Sequence, residues 1–206
     1  MRGRRVGVFG GTFDPPHIGH VVTALRVLEA LELDEVLVVV AHDPWQKSGD
    51  RHITPAATRL ELVSAAVAGV SELTASSVEI DRGGPTYTVD TLEILRAADP
   101  DADWFLILGA DAAARIPTWH RAGDLAALCT VVVVDRPGVA ADGVIDASML
   151  HVEVPLLEVS STDLRARAAA GRSIRFLVPD AVAELVDSLG LYRAGPGSRV
   201  SADDQH

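Results

Sequence analysis

Gly10-Gly11-Thr12-Phe13-Asp14-Pro15-Pro16-His17-Ile18-Gly19-His20 follows the apolar run 6–9 and leads directly into a helical pattern over 21–31. The order is a strand, a tight glycine turn and a helix start. His17 and His20 stand three positions apart. They therefore share one side of the helix N-terminus, beside backbone N–H groups that lack intrahelical partners and carry partial positive charge. Such a place suits phosphate. Plainer readings exist: Gly10 and Gly11 as a simple turn, Pro15-Pro16 as a stiff helix entry, and a histidine near a helix start as a structural or solvated group. Two histidines at this spacing favour a site. Neither G-x-G-x-x-G nor G-x-x-x-x-G-K-[ST] follows the strand, so a phosphate has to be held in another way.

Outward from this junction, apolar runs at 5–9, 36–40, 104–108 and 130–134 alternate with helical patterns at 18–31, 55–68, 89–97, 112–115, 162–170 and 179–189. The alternation predicts an α/β chain: one mostly parallel sheet with helices on both faces and a small C-terminal helical portion. Shorter strands are expected at 77–80 and 151–154, which gives six. Ligands of such open sheets sit beyond the carboxyl ends of the strands. The stretches 10–20, 41–47, 109–111 and 135–137 all fall there. Residues 1–193 are expected to form one domain. Residues 194–206 contain Gly-Pro-Gly and no apolar periodicity, so they are expected to be a disordered tail.

With 206 residues and 48% hydrophobic content the chain has ample material for a core. Eighteen basic against 29 acidic residues leave a net charge of −11, which argues against an open nucleic-acid surface. Anionic small molecules can still bind in a cleft where helix N-termini, local cations and a divalent ion outweigh the global field. Lys47 is the sole lysine, and Cys129 the sole cysteine. Cys129 lies in the run leading to Val134 and reads as a buried, inert thiol; a disulfide framework or a zinc site is excluded. Nothing near Met1 reads as a signal peptide, and no stretch approaches the ~20 apolar residues of a membrane span. The expectation is a cytoplasmic protein without membrane contact.

Through Gly11, Phe13, Pro15, His17, Gly19 and His20 the opening stretch resembles the Gly-x-Phe-x-Pro-x-His-x-Gly-His signature of a nucleotidyltransferase superfamily. Four further segments are similar to its bacterial nicotinate mononucleotide adenylyltransferase branch. They are Ser160-Ser161-Thr162-Asp163-Leu164-Arg165; Gly83-Gly84-Pro85-Thr86-Tyr87-Thr88-Val89-Asp90-Thr91-Leu92; Leu108-Gly109-Ala110-Asp111 with Trp119-His120-Arg121; and the stretch 174–182 with Gly190-Leu191-Tyr192. The likeness covers residues 5 to about 193. It implies a doubly wound, Rossmann-like fold. It also implies transfer of the adenylyl group of ATP to nicotinate mononucleotide by direct in-line attack, with Mg²⁺ accompanying the ATP.

The same likeness implies ATP contacts from Gly10, Gly11, Thr12, Phe13, His17, His20, Gly109, Asp111, Arg136, Ser160, Ser161, Thr162 and Arg165. Mononucleotide contacts are implied for Thr12, Lys47, Thr86, Tyr87, Thr88 and Trp119, with Trp119 stacking on the pyridine ring. His17, His20, Lys47 and Arg165 carry the catalytic roles. Arg165 lies three positions past Thr162, so its guanidinium can point back toward an anion held there. Ser160 or Thr162 would equally serve as an ordinary N-cap. The C-terminal signature reads mainly as packing. No protein cage for a metal is visible, and no Ser-His-Asp or Cys-His pair suggests a covalent catalyst.

The chain departs from the family after the second strand, where Ala41-His42-Asp43 replaces small residues ahead of Pro44-Trp45-Gln46-Lys47. Asp43 could face solvent, meet a metal-bound water, or bias the site toward nicotinamide mononucleotide. Trp45 reads as a lid, a subunit contact or simple packing. Two other readings stay open: a related transferase with another acceptor or donor, and a nucleotide-sensing module without activity. A homo-oligomer is also open.

Overall fold

The computed structural model describes residues 2–43, 53–135 and 148–193. Trp45, Lys47, Arg136 and the tail 194–206 lie outside the described residues. Six strands form one sheet in the order β3-β2-β1-β4-β5-β6: β1 Arg5–Gly11, β2 Glu35–Val40, β3 Leu73–Ser76, β4 Asp103–Gly109, β5 Thr130–Asp135 and β6 Leu150–Glu153. Every neighbouring pair is parallel. The strand order reverses between β1 and β4, so a crevice opens beyond their carboxyl ends.

Both faces of the strands are covered, which is why they read as near-continuous apolar runs. Alternation sorts them into two cores. Val36, Val38, Phe105, Ile107 and Val132 face one side, with α1 Ile18–Ala30, α2 Ala56–Val67, α7 Ser161–Ala169 and α8 Asp180–Ser188 upon it. Val6, Val8, Val39, Leu106 and Val133 face the other, under α4 Thr88–Ala98 and the short helices α5 Ala110–Ala113 and α6 Leu125–Leu128. Gly7 is a strand glycine for a packing reason: a Cβ there would stand 3.0 Å from Ile107, Leu33 and Val36. Ile107 is completely buried, so its truncation to alanine costs about 2–5 kcal/mol.

The doubly wound α/β expectation holds, and the six expected helices and five of the six expected strands fall within a few residues of their expected places. One strand is misplaced. Residues 77–80 are not extended; the strand lies earlier, at Leu73–Ser76, and Val78–Arg82 form the helix α3. Val78 and Ile80 imitate a strand's two-residue period. Glu79 and Asp81 in the first turn complement the helix N-terminus instead, and the Ser77 hydroxyl donates to Asp81 at 2.6 Å.

Candidate active site

The turn after β1 is strained where the site begins. Phe13 adopts φ 50°, uncommon for an aromatic residue, and is 3% exposed. Gly11 must be glycine there, because a Cβ would meet the Phe13 ring at 2.7 Å. The following Asp14-Pro15 peptide bond is cis. Phe13 then supports His20 edge-on, with ring centroids 5.0 Å apart.

His17 is the N-cap residue of α1 and His20 its third residue. Their rings stack at 3.7 Å between centroids. The backbone N–H of His17 donates to Nδ1 of His20 at 3.1 Å. An accepting Nδ1 leaves the proton of the neutral ring on Nε2, so His20 presents a donor on that side. The helix N-terminus itself is less open than the sequence suggests. The first amide of α1, that of Ile18, donates to the Leu177 carbonyl at 3.1 Å.

The segment 160–165 is stitched to this junction. Ser160 caps α7, its hydroxyl accepting from the Asp163 amide at 3.1 Å. Ser161 donates its hydroxyl to the Pro15 carbonyl at 2.8 Å. Arg165 donates to the Asp14 carbonyl at 2.6 Å and to the Thr162 hydroxyl at 3.0 Å. Of the hydroxyls expected on phosphate, that of Ser161 joins the two motifs and that of Ser160 caps α7; Thr162, as an acceptor from Arg165, retains its own proton for donation.

Two cavities meet on the β1 turn. One of about 450 Å³ is lined by Gly10, Gly11, Thr12, Phe13, His17, His20, Gly109, Ser160, Ser161, Thr162 and Arg165. Val134, Val154, Pro155 and Leu157 give it an apolar wall. The other, about 250 Å³, is lined by Thr86, Tyr87, Thr88, Trp119 and His120, and shares Gly10, Gly11 and Thr12 with the first. Tyr87 packs on His120 at 4.4 Å between ring centroids, where α4 begins. Asp111, exposed in the first turn of α5, lines neither cavity. Lys47 and Arg136 lie outside the described residues.

Asp43 is exposed and meets the site through its backbone, donating its N–H to the Thr86 hydroxyl at 3.2 Å. Glu79, absent from the sequence reading, lines the smaller cavity and is 6% exposed. Burial pushes its carboxyl above the usual carboxylate range, against the pull of the Thr91 hydroxyl, which donates at 2.8 Å, and of Arg82. Among the described residues no group of three His, Cys, Asp or Glu side chains could hold a metal, and no helix is long and apolar enough to cross a membrane.

Residues 8–167 match the Cytidylyltransferase-like family. Two similar proteins are each named a probable nicotinate-nucleotide adenylyltransferase. The Corynebacterium kroppenstedtii protein is 45% identical over 96% of this chain and 94% of its own length. The Mycolicibacterium vanbaalenii protein is 47% identical over 96% and 97%. The fold is similar to that of Plasmodium falciparum nicotinic acid mononucleotide adenylyltransferase complexed with NaAD, with a TM-score of 0.70, 17% identity and coverage of 92% of this chain and 97% of the other.

Proposed function

The chain belongs to the nicotinate-nucleotide adenylyltransferase family, and from that premise we propose that it transfers the adenylyl group of ATP to nicotinate mononucleotide, releasing nicotinate adenine dinucleotide and pyrophosphate. One observation carries the reading: two cavities of different character share the floor Gly10-Gly11-Thr12, so two ligands can touch there. The larger, with His17, His20 and Arg165 on its wall, suits the triphosphate. The smaller, with Trp119, Tyr87 and the N-terminus of α4, suits a flat ring bearing a carboxylate.

An oxygen of the mononucleotide phosphate bonds to the α-phosphorus as the bond to the β-phosphate oxygen breaks, and the electron pair leaves with pyrophosphate. A phosphate monoester needs no activation at neutral pH. The chain's task is therefore to bring two anions together and neutralise the charge that gathers on the transferring group. His20 donates from Nε2, with His17 stacked against it holding the ring in place. Arg165, anchored on Asp14 and Thr162, lends positive charge at the rim. Lys47 and Arg136 are assigned the same duty from the sequence likeness. Mg²⁺ accompanying the ATP would offset the negative charge of the triphosphate beside His17, His20 and Arg165. The setting that fits ATP supply is the cytoplasm.

Pyrophosphate release, followed with ATP and each mononucleotide in turn, tests the assignment. Rapid release with the nicotinate form and at least tenfold slower release with the nicotinamide form supports it. Preference for the amide, or no release with either, would refute it.

A further inference from the structure

We propose that Arg59 is a positioning residue of the transfer step: a buried guanidinium that fixes the floor on which the two substrates meet. The inference rests on the two-cavity reading above. Arg59 lies in the first turn of α2 and is 1% exposed. Its Nε donates to the Thr54 carbonyl at 2.8 Å, and one terminal nitrogen to the Thr12 carbonyl at 2.8 Å. The other reaches the carbonyls of Ala41 at 2.8 Å and His42 at 3.3 Å. Three separate backbone stretches are gathered by one planar group.

The place of these carbonyls explains why a guanidinium is needed. The amide of Ala41 donates to Gly11 at 2.9 Å, continuing the β1–β2 ladder to its end. Beyond that rung the chains part, and the carbonyls of Thr12 and Ala41 require a donor from outside the sheet. Thr12 lines both cavities, and Ala41 the smaller one. A planar fork with five donors can hold such divergent acceptors at once; an ammonium cannot. Burial lowers the affinity of Arg59 for its proton, opposed chiefly by the nearby Asp14, and a guanidinium stays charged under these conditions. Reacting groups misplaced by about 1 Å react about a hundredfold more slowly. The clamp should therefore act on turnover more than on affinity.

Full-length Arg59→Lys and Arg59→Ala proteins, with active sites counted by nucleotide-binding stoichiometry, provide the test. Expected is a fall in kcat of about a hundredfold per binding-competent molecule in both, with KM for ATP and for nicotinate mononucleotide within about threefold of the wild type. Millimolar guanidinium should recover turnover in Arg59→Ala, where equal sodium chloride or urea does not. Normal kcat in the competent fraction would overturn the proposal, since a purely structural arginine alters only the amount folded. An inactive wild type would refute the functional reading instead. Should neither variant fold, nitrogen-15 spectra of the wild type decide: resolved, slowly exchanging Nη protons support the clamp, and averaged, rapidly exchanging ones overturn it.

Discussion

Tyr192 donates its phenol hydroxyl to Oδ1 of Asp14 at 2.7 Å, joining residues 178 positions apart. Asp14 is 1% exposed, and its other carboxylate oxygen lies 3.5 Å from the Thr54 amide. Burial pushes the Tyr192 hydroxyl well above its ordinary pKa, so it remains a donor throughout the working range. The C-terminal signature, read from sequence as packing, thus also holds the aspartate of the turn after β1. Removing the hydroxyl in Tyr192→Phe leaves a buried carboxylate short of a partner. The expected loss is about 1–3 kcal/mol in urea unfolding; an unchanged midpoint would contradict the contact.

His20 is expected to matter to turnover. His20→Ala removes the Nε2 donor, and one such donor typically accounts for about 10²–10³ in kcat. ATP affinity, measured by equilibrium titration, should change only a few-fold, because the donor acts on charge that grows in the transition state.

Trp119 is half-buried at the wall of the smaller cavity, at the end of the turn Ile116–Thr118. Trp119→Ala removes a stacking face worth about 0.5–1.5 kcal/mol beyond its area. KM for nicotinate mononucleotide should rise roughly tenfold or more, with KM for ATP moved by less than half as much on a logarithmic scale. Equal weakening of both substrates would detach Trp119 from the acceptor.

Cys129 should be chemically quiet. Burial pushes its thiol up to about 11. At pH 8 only about one molecule in a thousand carries the reactive thiolate. Iodoacetamide should label the native protein far more slowly than the urea-unfolded one, and the Cys129→Ser protein should retain full turnover. The structure places Cys129 half-buried where the sequence reads it as buried, and labelling at equal rates would contradict even that partial shielding.

What the sequence made legible follows from how local each signal is. Val36 to Val40 and Phe105 to Leu108 announce a doubly covered sheet because neighbours along the chain share the same burial. The stretch from Gly11 to His20 carries its own glycine, proline and histidine punctuation. Arg59 left a fainter trace. It occupies the position that Leu62, Val63 and Ala66 continue as the buried stripe of α2, a charged residue where the helical period calls for an apolar one. Nothing local identifies its acceptors, which lie 5 to 47 residues away in sequence. Glu79 falls in the stretch 77–80 that reads as a strand, whereas the structure puts it in the first turn of α3 and on the wall of the smaller cavity. A motif names residues but not the order in which their hydrogen bonds are filled: Ser161 lines the larger cavity, and its hydroxyl donates to the Pro15 carbonyl.

Two anions that meet over Gly10-Gly11-Thr12 and react with each other directly form no covalent enzyme intermediate. The most direct measurement is the stereochemical course at the α-phosphorus, with ATP made chiral there by sulfur and oxygen isotope. A single in-line displacement inverts the configuration in the dinucleotide product. Retention would mean two displacements through a covalent adenylyl-enzyme, and would contradict the account.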